Sequence, residues 1–346
     1  MPLQSYPEIS VIVPVYNAGP HLRKCLEGLI GSDFPEFEVL VVDDASTDGD
    51  VTAESRAYGF ECLRLDERAG PAAARNHGAR YARGSILFFV DADIVVRKDT
   101  LSRTAALFRA RPNVAAAFGS YDDAPAETNF FSQYKNLQHH FVHQQSSSHA
   151  ETFWAGCGAV RREVFQSAGG FDAGKYQKPS IEDIELGYRL RRKGCLIALD
   201  HALQVKHLKR WTFLSVLHTD IFDRALPWSQ LILQRDGMIN DLNLRASDRF
   251  SAALTGLAVG LLLLSSYFPI LLAALVAALI TLFFLNFGFY SFLRMHGGMW
   301  FAIRGVAMLA LYYFYSGVVF TVCYGSFLLG KRISLAGTAR KAGEVS

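Results

Sequence analysis

Gly84-Ser-Ile-Leu-Phe-Phe-Val-Asp-Ala-Asp-Ile94 is the stretch of sequence that decides the predicted fold. Its apolar run, residues 86–90, predicts a strand buried on both faces of a sheet. Asp91 and Asp93 follow two residues apart, and alternation along an extended chain turns both carboxylates toward the same side. Ligands bind at the carboxyl edge of open α/β sheets. Two acids that converge there can hold a hard divalent cation, and the cation can hold a diphosphate. The alternative is an aspartate pair that only caps a turn.

Strand and helix patterns alternate on both sides of this central strand. Strands are expected at residues 9–13, 37–42, 61–65, 114–118, 196–199 and 203–207, and helices are expected to begin near Pro20, Pro71, Asp99, Asn129 and Ser180. Pro14 is expected to stop the first strand. Connections of this length join parallel strands through right-handed crossovers. The sequence therefore predicts an α/β fold with a mostly parallel sheet, helices on both faces and acid-rich loops at one edge.

The apolar residues, 51% of the 346, are concentrated at the end of the chain. Residues 250–293 and 305–330 contain no Asp, Glu, Lys or Arg, and each segment exceeds the roughly 20 apolar residues that cross a bilayer. Ser265 to Pro269 divide the first segment into a helical hairpin. A short basic loop, 294–304, is expected before a third span, although two crossings with a re-entrant first segment are the alternative.

Four regions follow from these patterns. We expect an α/β domain at 1–208, amphipathic interfacial helices and a hinge at 209–249, about three transmembrane helices at 250–330, and a polar tail at 331–346. The first ten residues do not resemble a signal peptide, so the expected location is a multi-pass protein of the cell membrane with the α/β domain facing the cytoplasm.

Charge and cysteine content exclude some classes of function. The formal net charge is only +3, and no basic run is interleaved with aromatic residues, which argues against a nucleic-acid partner. The five cysteines are scattered without a Cys-x-x-Cys pair. This pattern fits a reducing compartment and argues against a disulfide framework or a structural zinc site.

Polar motifs at the ends of the predicted elements form an ordered set. They are Pro14-Val-Tyr-Asn17, Asp43-Asp44, Arg75-Asn76, Asp91-x-Asp93, Glu182-Asp183 and His207-x-x-Arg210-Trp211. Their order and spacing resemble the GT-A glycosyltransferases of family 2, membrane-bound and of the lipid-acceptor type. Those enzymes transfer a sugar from a nucleotide diphosphate with inversion. The resemblance covers roughly residues 9–228.

The resemblance implies donor-binding and metal-binding roles. The nucleotide-sugar would be held by Pro14, Tyr16, Asn17, Asp44, Arg75, Asp91 and Arg210, with Asp44 accepting a hydrogen bond from the base N–H. Asp93 and His207 would bind Mg²⁺ or Mn²⁺, whose charge offsets that of the leaving diphosphate. His207 has the alternative of being an ordinary surface residue, and Arg75 that of a charge on a helix surface.

Catalytic roles are expected at the start of the helix after Ser180. Asp183 would be the general base that takes the proton of the acceptor hydroxyl, and Glu182 would orient the acceptor. Ser180 and Asp183 also form a capping-box pattern, with Asp where Glu or Gln is usual, so a helix-capping role is compatible with catalysis.

The predicted acceptor-binding residues are Trp154, Gly156, Trp211 and Trp228. His207 stands where processive synthases of this family carry Gln in a Gln-x-x-Arg-Trp signature. For Arg210 and Trp211 a surface charge and a membrane-interface anchor are the alternatives.

The resulting expectation is transfer of one sugar, with a UDP-sugar favoured, to a membrane lipid. A glycerolipid, a sphingolipid, a hopanoid-like lipid and a polyprenyl phosphate all remain open as acceptors. The alternatives are a processive polysaccharide synthase subunit and a non-catalytic, membrane-tethered domain that binds nucleotide-sugars. A sugar nucleotidyltransferase would need a Gly-rich, basic loop after the first strand, and Asn17-Ala-Gly-Pro20 is not such a loop.

Overall fold

One mixed sheet of eight strands organises the computed structural model of the chain, which describes residues 6–234 and 241–330. The predicted tail, 331–346, and part of the predicted hinge lie outside the described residues. The strands are β1 (Ile9–Val15), β2 (Phe37–Asp43), β3 (Glu61–Arg64), β4 (Ile86–Val90), β5 (Ile94–Val95), β6 (Val114–Tyr121), β7 (Cys157–Arg161) and β8 (Leu196–His207).

The strand order is β3-β2-β1-β4-β7-β6-β8-β5. The half that contains β3, β2, β1 and β4 is parallel, as the crossover lengths predict. β7 runs antiparallel to both β4 and β6, and β5 runs antiparallel to β8, whereas β6 and β8 are parallel. The prediction of an α/β sheet is therefore correct, with the addition that its second half is mixed. β4, the central strand, is buried along its whole length.

Two strand predictions need correction, and one strand was not predicted. Pro14 does not end β1, because the pairing with β4 stops at Ile12↔Phe89 and the N–H that proline lacks is not needed beyond it. The two short strands predicted between Leu196 and His207 form the single strand β8, with a register irregularity where it pairs with β6. β5 was not predicted, since two residues carry no periodic signal.

Helices cover both faces of the sheet, and apolar residues from both layers form the core. The helices of this part are α1 (Pro20–Ile30), α2 (Val51–Ala57), α3 (Pro71–Tyr81), α4 (Thr100–Ala110), α5 (Phe130–Gln144), α6 (Arg162–Ser167) and α7 (Glu182–Arg192). α5 starts at a side-chain cap, where Asn129 accepts from the Ser132 N–H. Its polar face lies on β6 and its aromatic face lies on the C-terminal helices, so it joins the two parts of the protein.

The interfacial region contains α8 (Phe213–His218), a π-helical segment (Thr219–Ala225) and α9 (Leu226–Leu233). Pro227 lies in the first turn of α9, directly after the π-helical segment, and it has no N–H to donate to the carbonyl groups of that segment. π-helical turns are rare and occur often at functional sites.

The C-terminal region contains α10 (Ala246–Leu264), α11 (Leu271–Leu285) and α12 (Phe287–Leu328). The break predicted at Ser265 to Pro269 separates α10 from α11, as expected. Two helices, α10 and α12, are long and apolar enough to cross a membrane. α11 has 15 residues and is about 22 Å long, which is shorter than the roughly 30 Å hydrocarbon core of a bilayer.

The prediction of a basic loop at 294–304 is wrong, because α12 includes these residues. The helix is broken only at Gly298, whose φ of 79° lies in the left-handed region that glycine tolerates. The first part of α12 packs its aromatic side chains against α5, including Phe292 against Phe141. These contacts hold the segment as a docked helix and override the local loop signal.

Candidate active site

An ion-pair triad ties three elements together at the carboxyl edge of the sheet. Arg75 of α3 donates to Asp91 Oδ1, which follows β4, over 2.7 Å. It also donates to Glu182 Oε1, at the start of α7, over 2.8 Å. The guanidinium is buried, with Arg75 only 5% exposed. Arg75 is therefore not a helix surface charge, and its pKa is raised because the attraction of Asp91 and Glu182 outweighs the effect of burial.

The start of α7 differs from the predicted capping box. Ser180 donates its hydroxyl to the Asp223 carbonyl and its N–H to Glu182 Oε2. Asp183 accepts from the Ala155 N–H at 3.0 Å and from the Ile184 N–H at 2.8 Å. Burial first and the neighbouring Glu182 second raise the pKa of Asp183 to about 6. A carboxylate with this pKa is ionised at neutral pH and still basic enough to take a proton.

Close packing at Gly187 sets the distance between α7 and the segment that carries Ala155. A Cβ added at Gly187 would lie 2.3 Å from the backbone nitrogen of Phe153 and 2.6 Å from the carbonyl carbon of Thr152. Backbone atoms have little room to move, so only glycine allows α7 to approach this closely. The position of Asp183 relative to its donor Ala155 depends on that contact.

We expect Gly187→Ala to lower the free energy of unfolding by about 1–3 kcal/mol, since the added methyl group forces α7 off its neighbour. Urea unfolding of the full chain in detergent measures the change. Gly31→Ala is the matched control, because a Cβ there makes ordinary contacts of 3.4 Å or more at a φ of −78°. Equal stability losses in the two variants would contradict this account of the packing.

Pairing between β5 and β8 brings His207 beside Asp93. Ile94 pairs with His207, and the Leu208 N–H donates to the Asp93 carbonyl. The distance from His207 Nε2 to Asp93 Oδ2 is 3.6 Å. Burial would raise the pKa of Asp93, but His207 and then Lys209 lower it further than burial raises it. His207 is 7% exposed and stacks on Tyr121 with 4.2 Å between the ring centroids, so it is not a surface residue.

The residues predicted to bind the nucleotide lie at the carboxyl ends of β1 and β2. Asp44 is almost fully buried, and its two oxygens accept from the backbone N–H groups of Ala69 and Gly70. Its direct contact with a nucleobase stays a prediction, since in the structure it holds the loop before α3. Asn17 accepts from the Thr47 N–H, and Pro14 lies within β1.

The side chain of Tyr16 is the more accessible part of this predicted pocket. It is 39% exposed, and the Arg68 guanidinium lies 3.9 Å from the centre of its ring. Arg210, in contrast, has a side chain that is 72% exposed, and its partner is Glu127 at 3.4 Å. Its predicted contact with a diphosphate stays a prediction.

The predicted acceptor residues fall into two groups. Trp154 lies over Gly156 and packs on Tyr121 and His139, within the ring cluster that contains His207. Trp211 is buried and donates its backbone N–H to Ser132 Oγ, and Trp228 donates its indole N–H to Tyr188. Only the second group lines the cavity described next.

A cavity of about 630 Å³ extends from this ring cluster to the C-terminal helices. Its polar end contains His207, Tyr121 and Trp228, and its other end is formed by small and apolar residues of α10 and α12 such as Ala252 and Val318. Sequence reasoning missed several residues of its polar end, namely Tyr121, Lys135, His139, His143, Asp220 and Arg224. The histidines of α5 were visible only as part of an amphipathic helix, with no spacing that pointed to a site.

Metal binding is compatible with this geometry. No group of three or more His, Cys, Asp or Glu side chains within the described ranges could hold an ion by itself. Magnesium-type sites commonly use one or two protein groups and complete their octahedron with water and phosphate oxygens. Asp93 and His207 fit that limited role.

An α/β sheet whose central strand ends in two acids, opposite a helix that starts with two more, is an arrangement of the GT-A-like fold class. Residues 10–169 match the family described as Glycosyl transferase family 2, and the chain therefore contains a domain of that family. Proteins named as glycosyltransferases are among its relatives. Glycosyltransferase AglE of Haloferax volcanii is 41% identical over 103 residues, which are 28% of this chain and 34% of that protein.

Two further comparisons extend this result. The poly(ribitol-phosphate) β-N-acetylglucosaminyltransferase TarS of Staphylococcus aureus is 37% identical over 105 residues, 29% of this chain and 18% of TarS. The chain thus spans only about a third or less of AglE and TarS. The mannosyltransferase PcManGT of Pyrobaculum calidifontis, solved with GDP-Man and Mn²⁺, has a TM-score of 0.54 at 22% identity, covering 95% of this chain and 89% of that one. This likeness confirms the predicted fold.

Proposed function

We propose that this protein transfers a single sugar from a nucleotide-diphosphate sugar to a membrane lipid, with inversion at the anomeric carbon. The observation that carries the proposal is the cavity between the ring cluster of His207 and the apolar helices α10 and α12. A lipid that lies along those helices would present its head group next to His207. Such a cavity suits an acceptor with one polar and one long apolar end.

The membrane part of the proposal rests on exposed apolar surface. Ile270 is 81% exposed and Phe284 is 69% exposed, and many other large apolar side chains of α10, α11 and α12 are similarly open. Water-soluble proteins rarely expose apolar patches of this extent. We therefore place α10 and α12 in the bilayer of the cell membrane as a multi-pass anchor, with the family 2 domain at its cytoplasmic face.

For the donor we retain the expectation of a UDP-sugar, with Tyr16 and Asn17 at the base. The complex of PcManGT contains GDP-Man, so a guanine nucleotide is the competing donor. Asp93 and His207 would hold Mg²⁺ or Mn²⁺, which offsets the charge on the departing diphosphate. The Mn²⁺ in that complex supports the use of a divalent ion.

The chain's own residues would then carry out the proton transfer and the positioning. Asp183 takes the proton of the acceptor hydroxyl, and its two backbone donors fix the direction of its oxygens. Arg75 holds Glu182 and Asp91 on either side of the cleft, so the start of α7 stays opposite the end of β4. Attack from the face opposite the diphosphate gives inversion.

Product analysis tests this proposal. Full-length protein in membranes is incubated with labelled UDP-sugars and GDP-sugars and Mn²⁺, and the products are separated by thin-layer chromatography and by gel electrophoresis. We expect one labelled lipid-soluble product, formed only with a divalent ion. A ladder of products would contradict single-sugar transfer and favour the polymer chemistry named for TarS, and donor hydrolysis without any labelled product would contradict a lipid acceptor.

The metal part of the experiment uses chelation and one matched pair of variants. We expect excess EDTA and Asp93→Asn each to weaken binding of the nucleoside diphosphate roughly tenfold or more, as loss of a charge-assisted contact does. Asp99→Asn is the control, because Asp99 is exposed and its side chain does not cap α4. Full binding by Asp93→Asn in Mn²⁺ would remove Asp93 from the metal site.

A further inference from the structure

Arg224 is a charged residue of the cavity that the proposed mechanism does not use. It lies on the π-helical segment Thr219–Ala225, is exposed, and lines the cavity that also contains His207. Within residues 6–234 and 241–330, it has neither a hydrogen bond nor an ion-pair partner. An arginine in a cavity without such a partner is well suited to bind an anion.

The neighbouring charges leave the positive charge of Arg224 uncompensated. Lys135 lies 2.9 Å from Asp220 Oδ1, and Tyr315 donates to the other oxygen of Asp220 over 2.7 Å, so this pair is neutral and satisfied. Burial, more than any other cause, lowers the pKa values of His139 and His143, which keeps both rings neutral. Asp248 and Arg249, further along the cavity, add one charge of each sign.

A hydrogen bond joins the residue before Arg224 to the segment that precedes α7. The Asp223 carbonyl accepts the Ser180 hydroxyl at 2.9 Å. Ser180 lies two residues before Glu182, the first residue of α7, which also carries Asp183. The π-helical segment that carries Arg224 is thus hydrogen-bonded to the segment that leads into the proposed general base.

We propose that Arg224 binds a phosphate group near the reacting end of the lipid acceptor, with the lipid's apolar chain along α10 and α12. This inference rests on the proposed function and narrows its acceptor to phosphate-bearing lipids. The phosphate has two sources, a polyprenyl phosphomonoester or the phosphodiester of a glycerophospholipid that also carries a hydroxyl. Charge complementarity with one unpaired arginine is the argument for this ligand.

The two sources of the phosphate differ in whether the attacking oxygen of the acceptor must lose a proton. In both, an acceptor oxygen forms a bond to the anomeric carbon as the bond from that carbon to the nucleotide diphosphate breaks, and the diphosphate leaves with the electron pair. A hydroxyl gives its proton to Asp183. A phosphomonoester oxygen is already ionised and needs no base, so transfer to it would survive Asp183→Asn.

Full-length protein in nanodiscs is tested with four acceptors, namely polyprenyl phosphate, polyprenol, phosphatidylglycerol and diacylglycerol. We expect a phosphate-bearing lipid to be a better acceptor than its uncharged counterpart by roughly tenfold or more, the usual value of a charge-assisted contact. Arg224→Gln should raise the KM for that lipid by a similar factor and leave the KM for the donor unchanged, and Arg224→Lys should restore part of the loss. Equal use of charged and uncharged lipids would overturn the inference.

Two controls separate failure of this inference from failure of the proposed function. Arg304→Gln removes an exposed arginine that lies over Phe130 and does not line the cavity, and it should leave lipid use unchanged. Retention of dodecyl phosphate by the full chain is measured by native mass spectrometry without any donor. Loss of retention in Arg224→Gln alone supports the phosphate site even if no lipid accepts sugar, and equal retention by wild type and Arg224→Gln overturns it.

Discussion

Asp183→Asn should lower the rate of sugar transfer to a hydroxyl acceptor by roughly 10²- to 10⁴-fold, the range that general-base catalysis contributes. The amide is close in size to the carboxylate and can still accept one hydrogen bond from the Ala155 N–H, but it cannot take a proton. Because Asp183 does not touch the predicted nucleotide residues Tyr16 and Asn17, binding of the nucleoside diphosphate should stay within about twofold of wild type. Initial rates and fluorescence titration measure the two quantities.

The pH profile supplies a second measurement on the same group. Burial, with Glu182 adding to it, raises the pKa of Asp183 to about 6, so the carboxylate is ionised at neutral pH and becomes protonated as the pH falls through about 6. The base form is lost in that range, and the rate with wild type should fall tenfold per pH unit below it. Asp33→Asn, at an exposed position, should retain the profile. An unchanged rate in Asp183→Asn with a hydroxyl acceptor would remove the assignment.

Arg75→Met should destabilise the protein by about 3–5 kcal/mol, the usual cost of breaking a buried ion pair from one side. The substitution leaves the carboxylates of Asp91 and Glu182 without their shared cation, and Glu182 is 4% exposed. Asp91 is less buried, so Glu182 should account for most of the loss. The measurement is urea unfolding of the full chain in detergent, with tryptophan fluorescence as the readout.

A matched ion pair on the surface tests whether burial causes the stability loss expected for Arg75→Met. Arg23 pairs with Glu54, but its side chain is 67% exposed, so Arg23→Met should cost no more than about 1 kcal/mol. The double variant Arg75→Met with Glu182→Gln should recover part of the stability, because the second change removes the uncompensated buried charge. Equal losses in Arg75→Met and Arg23→Met would contradict the role of the triad.

The motifs that resemble family 2 could be recognised from the sequence because they lie at the ends of strands and helices with strong periodicity. β1, β2 and β4 are continuous apolar runs, and the acids that follow them reach one edge simply because parallel strands end together. The apolar helices and the break between α10 and α11 follow in the same way from composition. The roles assigned to individual site residues stay predictions until the variants are measured.

The sequence by itself determined the parallel strands β1, β2 and β4, the acids at their ends, the apolar C-terminal region and its break between α10 and α11, because each depends on residues close together in the chain. Only the tertiary structure decided that His207 meets Asp93 through the two-residue strand β5, that Arg75 joins Asp91 to Glu182, and that α12 continues through the predicted basic loop. The tertiary structure also formed the cavity that Arg224 lines, where this arginine has no ion-pair partner within the described part of the chain. These features depend on contacts between residues tens to hundreds of positions apart, and periodicity along the chain carries no record of which distant surfaces pack together.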